Sequence, residues 1–279
     1  MIFDDTVCQL GEGPLWHPTR NQLFWFDILG KTLFWRAGDT RHSVAFDGYA
    51  SAAGWIDDAQ LLVATETDLR LLDVTTKTHT HLMPFDADNP LTRSNDGRVD
   101  PFGGFWIGTM GKSAEAKVGA IYRYYRGELR QLYGNITISN AICFSPDALY
   151  AYFTDTLDGR VMRQPLDQKD GWPKGDAEVW LDLRGEKFGA DGAVIDAAGC
   201  FWNAQWGAGR VACYDTNGTF QRAISFGADQ TSCPAFGGDD FTTLYCTSAA
   251  EGGIEGVDQG KTWVQTDVAK GQKEHQVIL

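Results

Sequence analysis

Glu12, Asn95, Asn140 and Asp191 are far apart in the chain, yet each is the second residue of a similar short segment. The segments are Gly11-Glu12-Gly13-Pro14-Leu15-Trp16, Ser94-Asn95-Asp96-Gly97-Arg98-Val99, Ser139-Asn140-Ala141-Ile142-Cys143-Phe144 and Ala190-Asp191-Gly192-Ala193-Val194-Ile195. Two more, Ser51-Ala52-Ala53-Gly54-Trp55-Ile56 and Ser232-Cys233-Pro234-Ala235-Phe236-Gly237, place Ala52 and Cys233 at the same position. If these positions are equivalent in a repeating fold, four oxygen-bearing side chains converge on one axis. Two buried carboxylates, Glu12 and Asp191, repel each other and are costly to desolvate unless a positive charge lies between them. One divalent cation solves this, with amide oxygens completing its shell. Oxygen donors suit Ca²⁺, Mg²⁺ or Mn²⁺, and Zn²⁺ or Fe²⁺ can also occupy such a site. Taken singly, each Asn or Asp reads as a turn or backbone-bonding residue. It is the shared position that points to a metal. Arg93 precedes Asn95 by two residues, so on an extended strand it faces the same side. There it is placed to bind an oxygen-rich or anionic ligand, the ordinary alternative being a surface salt bridge.

The elements that must position these residues are short strands. The markers at 12, 52, 95, 140, 191 and 233 are separated by 40, 43, 45, 51 and 42 residues. Each segment runs into a turn signal such as His17-Pro18, Asp57-Asp58 or Ser145-Pro146-Asp147, then into a run of β-forming residues. These second runs are 23–26, 61–64, 105–108, 149–154, 201–204 and 244–247, and third runs follow at 32–36, 69–73, 120–125, 160–163, 210–214 and 261–266. A more polar fourth run often closes the unit, as at 78–83, 128–132 and 178–181. Four strands repeating at this interval are the signature of a propeller blade. The expectation is an all-β fold, a six-bladed β-propeller with a central metal site, occupying residues 1–279 as one domain. Small residues in the first strands fit a crowded channel wall. The last blade needs an outer strand, which either 1–8 or 274–279 can supply. Phe24, Trp25, Trp35, Trp106 and Trp202 read as packing between blades.

Aromatics make up 13% of the chain, enough to fill a large core, and a net charge of −13 argues against nucleic acid and anionic membrane as partners. The first residues show no basic stretch followed by an apolar one, so no signal peptide is expected, and no run is long enough to span a bilayer. Six cysteines without a C-x-x-C pair suit reduced, buried thiols and a cytoplasmic location.

Five stretches in order, Gly11-Glu12-Gly13-Pro14-Leu15-Trp16, Arg93 to Pro101, Gly108-Thr109-Met110, Ile138-Ser139-Asn140 and Asp191-Gly192, resemble the SMP-30, gluconolactonase and luciferin-regenerating enzyme family. The resemblance covers nearly the whole chain. It implies a six-bladed propeller with one central divalent metal and hydrolysis of a sugar lactone, a small molecule, to its aldonic acid. It implies Glu12, Asn140 and Asp191 as metal ligands, Asn95 and Arg93 as substrate contacts, and Asp191 as the group that accepts and returns a proton. The metal would polarise the lactone carbonyl. An acidic substrate contact found in some members after Gly-Thr-Met has no clear counterpart in Lys112-Ser113-Ala114-Glu115, and the final blade is atypical at Gly260-Lys261-Thr262-Trp263.

Two other classes compete: a broader metal-dependent esterase, and a propeller that binds metal or protein without turnover. Oligomeric state is left open by the sequence. A serine-hydrolase elbow and a zincin helix lack their motifs. Asp86-Ala87-Asp88-Asn89 begins like a calcium loop, but the later positions do not fit. His79 and His81 share one face of a strand, which reads better as an exposed outer strand than as a metal site.

Overall fold

The computed structural model describes residues 1–254 and 256–279. Among them the strands form six four-stranded antiparallel sheets, each running outward from a central channel. The innermost strands are Gly11–His17, Ala50–Trp55, Thr92–Val99, Ser139–Phe144, Gly189–Ile195 and Thr231–Gly237, defining blades 1 to 6. Nearly all their residues are buried, and they are built largely from Gly, Ala, Ser and Cys. That composition follows from the geometry, since six backbones meeting at one axis leave little room for side chains.

Every innermost strand breaks register with its neighbour at the repeat position: Glu12/Leu15, Ala50/Ala52, Ser94/Gly97, Asn140/Cys143, Ala190/Ala193 and Thr231/Pro234. Such a bulge twists the strand and re-aims the local side chains. In blade 1 it places Gly13 at φ 52°, where an added Cβ would stand 2.1 Å from the Ser51 carbonyl oxygen of blade 2. Only glycine fits there.

Aromatic side chains fill the space between blades, and Phe24, Trp25, Trp35, Trp106 and Trp202 are all buried. Two of these indoles are fixed by repeated polar turns. Asp100 accepts the Trp106 indole N–H at 3.0 Å, and Asp196 accepts that of Trp202 at 2.9 Å. Asp100 also pairs with the fully buried Arg123 at 2.6 Å.

Blade 6 is closed by the chain's beginning: Ile2–Asp4 pairs with Thr262–Gln265. The other terminal segment does something different. It crosses the channel at the end remote from Glu12 and Asp191, and its bonds reach several blades. Gln272 donates to the carbonyls of Phe144 and Ile195 at 3.0 and 2.9 Å, and the Trp55 indole N–H donates to the Glu274 carbonyl at 3.0 Å. The Glu274 carboxylate pairs with Arg98. Val277 and Ile278 bond the backbone of Trp55 and Gly103, both at 2.9 Å. Val277 sits in a notch where a Cβ on Gly54 would meet its methyl at 2.5 Å. Beneath this strap a cavity of about 30 Å³ remains, room for little more than one water.

Candidate active site

At the opposite end the channel opens into a cavity of about 530 Å³. Its base carries Glu12, Arg93, Asn95, Asn140, Thr156 and Asp191, so all five residues singled out in the sequence are brought together. Glu12, Asn95, Asn140 and Asp191 come from four different blades, each from the bulge of an innermost strand.

A directional set of hydrogen bonds holds this floor. Ser51 donates to the Asn95 carbonyl at 2.5 Å. The Asn95 amide donates to the Ser139 carbonyl at 2.8 Å and to the Asn140 side-chain oxygen at 3.1 Å. The Asn140 amide donates to the Thr156 hydroxyl at 2.8 Å, which in turn donates to the Ala190 carbonyl at 2.7 Å. Each bond leads to the next blade or ties down the loop beside it. The network fixes the rotamers of Asn95 and Asn140 and orients their oxygens. An amide oxygen has two lone pairs, so Asn140, accepting one hydrogen bond here, retains acceptor capacity.

Arg93 is buried, only 6% exposed, and donates to the Asn95 side-chain oxygen at 2.8 Å and to the Ser94 carbonyl at 2.9 Å. The surface salt bridge is thereby set aside. Burial lowers the proton affinity of its guanidinium, while Glu12 opposes that shift.

The electrostatics of the floor are dominated by excess negative charge. Burial, and then the Asp96 carboxylate, push Glu12 up to about 8. Burial, and then Glu12 and Asp96, hold Asp191 well above the usual carboxylate range. Asp96 is itself pushed up to about 6, mainly by burial. Arg93 and Arg98 are the nearby cations, and Arg98 is already paired with Glu274. Three crowded carboxylates are therefore undercompensated by fixed charge. Among the described residues no three His, Cys, Asp or Glu side chains form a metal cluster. The channel set differs in kind, since it mixes two carboxylates with amide oxygens. That donor chemistry and unmet charge fit a hard divalent cation.

Asp96 was not singled out by sequence reasoning, because alternation on a regular strand puts it on the face opposite Asn95. The register shift between Ser94 and Gly97 breaks that alternation. Asp96 instead accepts the Ile142 N–H of blade 4 at 2.7 Å. Thr156 was missed as well, for it lies in a loop outside the repeat. Lys112, Ser113 and Ala114 do line the cavity, whereas Glu115 turns back to accept the Ser113 N–H at 2.9 Å. The acidic contact absent from the sequence pattern is thus not supplied by Glu115. Other candidates fall away: Asp86 bonds Thr92 and the Tyr122 hydroxyl, His81 lies 3.0 Å from Asp68, and His79 stacks on Phe46.

The chain is similar to known proteins over most of its length. The 6-deoxy-6-sulfogluconolactonase of Pseudomonas putida is 35% identical over 87% of this chain and 84% of its own length. The L-arabinolactonase of Azospirillum brasilense is 33% identical, covering 90% of this chain and 84% of its own. A solved structure of a calcium-binding protein, regucalcin, from Agrobacterium tumefaciens superposes with a TM-score of 0.97 at 40% identity, covering 100% of this chain and 97% of that one. Residues 10–250 match the SMP-30/Gluconolactonase/LRE-like region, and the chain belongs to that family.

Proposed function

We propose that the protein is a hydrolase that opens a sugar lactone to its aldonic acid, with a divalent cation held by Glu12, Asn140 and Asp191. The observation that carries this reading is the convergence of those three residues with Arg93 and Asn95 on the floor of one cavity. A cation bound there would supply Lewis acidity toward the lactone carbonyl and keep the carboxylates ionised. Ca²⁺, Mg²⁺, Mn²⁺, Zn²⁺ and Fe²⁺ are the candidates.

The chain's own residues do the rest. Arg93 and Asn95 bind ring hydroxyls and fix which face of the lactone meets the floor. Asp191 accepts a proton from the attacking water as the new C–O bond forms, and returns it to the ring oxygen as the ester bond breaks. The proton is only relayed, so no co-reactant beyond water is needed. A carboxylate shared with a cation is a weak base. Asp191 is suited to the task if one of its oxygens remains free.

A second reading, metal binding without turnover, is favoured by the calcium-binding description of the Agrobacterium relative. The deciding experiment follows acid release from a panel of aldonolactones by metal-stripped protein, before and after each cation is returned. Turnover restored by one ion establishes the hydrolase and names the metal. Stabilisation by metal without turnover of any lactone supports the binding protein instead. All six cysteines are free and five are buried, which suits a reducing compartment, and we place the chain in the cytoplasm.

A further inference from the structure

The floor of the cavity is polar and compact, but the cavity continues outward into a mouth of different chemistry. Leu29 of blade 1, Leu157 of blade 4 and Trp206 of blade 5 line it. Leu157 is 67% exposed, unusual for a leucine held on a short loop above a binding site. Trp206 and Leu29 both pack against the apolar cluster that includes Leu10 and Ala249. A volume of about 530 Å³ falls within the roughly 300–1,000 Å³ that holds drug-sized ligands. A single aldonolactone is much smaller than that and, seated on Arg93 and Asn95, leaves the mouth unfilled.

We infer that this mouth is a second subsite, and that the favoured substrate is an aldonolactone carrying a further sugar ring, an aldobionolactone. The inference rests on the lactonase reading of the floor. A pyranose has an apolar C–H face that packs on an indole and between leucines, and hydroxyl edges that need polar partners. The mouth offers both. Lys112 spends two of its three N–H donors on Glu66 at 2.7 Å and the Pro90 carbonyl at 3.2 Å, which leaves one to turn toward a ligand. Ser113 and Glu251 line the same cavity. An aryl substituent would desolvate these groups without pairing them, which is costly. Glycosyl hydroxyls would pair with them, and this decides between the two.

The test compares kcat/KM for glucono-1,5-lactone with that for its 4-O-glucosyl derivative, using holo-protein in the metal that restores activity. The expected result is at least a tenfold preference for the glucosylated lactone. Trp206→Ala and, separately, Leu157→Ala should each shrink that preference by threefold or more. Leu157 is exposed enough that its variant will fold, and circular dichroism checks Trp206→Ala. A preference at or below one with glucono-1,5-lactone turned over, or a preference unmoved by both variants, overturns the subsite alone. Failure to hydrolyse either lactone with any cation overturns the lactonase reading and the subsite with it.

Discussion

Glu12 and Asp191, from the innermost strands of blades 1 and 5, line one cavity, where burial raises the proton affinity of both carboxylates and Glu12 raises that of Asp191 further. Without a cation, and with Asp96 nearby, these carboxyls hold their protons above the usual carboxylate range.

A pH dependence of the metal-free protein follows. Folding raises the proton affinity of Glu12, to about 8, and of Asp96, to about 6, so between the ordinary carboxylate range and these values the native state binds more protons than the unfolded one. Stability from these groups is fully present below the unfolded carboxylate range and is lost as pH rises through 6 and then 8. Thermal unfolding of stripped protein should therefore show a falling Tm from pH 5 to pH 8.5. Adding the native cation should raise Tm most at the high end, where metal does not compete with protons. A Tm that rises with pH in stripped protein would contradict the arrangement.

Glu12→Gln removes one charge while keeping the shape. The expectation is a metal-free protein at least as stable as wild type at pH 8, with metal affinity reduced tenfold or more by calorimetric titration. Unchanged affinity would remove Glu12 from the ligand set.

Asp191→Asn should reduce kcat by about 10²–10⁴-fold, the range for loss of a positioned acid–base group. Circular dichroism should be unchanged. A folded variant with undiminished lactonase activity would refute the proton role.

Away from the site, two ion pairs should differ sharply. Asp100→Ala leaves Arg123 charged, fully buried and without its carboxylate, and should cost about 3–5 kcal/mol by urea denaturation. Asp182→Ala breaks an exposed pair with Arg184 and should leave the transition midpoint unchanged.

The fold was legible because blade geometry imposes itself on sequence: small residues at the axis, turn residues after them, and aromatics in the strands beyond. All six first strands lie where the repeat places them, and the second and third strands match to within a few residues. The convergence of Glu12, Asn95, Asn140 and Asp191 followed from the same repeat. What escaped depends on local departures from it. Asp96 enters the channel region only because a bulge breaks strand alternation. Leu29 and Leu157 reach the cavity from turns whose course no periodicity records. The choice between the two termini as the closing strand was undetermined because both are short and neither has a distinctive pattern. Pairing settled it for Ile2–Asp4.

The strap that ties Gln272, Glu274 and Val277 across the remote end of the channel has a kinetic corollary. With that end sealed, the propeller is a blind vessel rather than a tube. Traffic must be two-way through a single opening, so each aldonic acid has to clear the mouth before the next lactone can descend. Product accumulating outside then competes for the same doorway, and inhibition by the acid should be competitive with substrate.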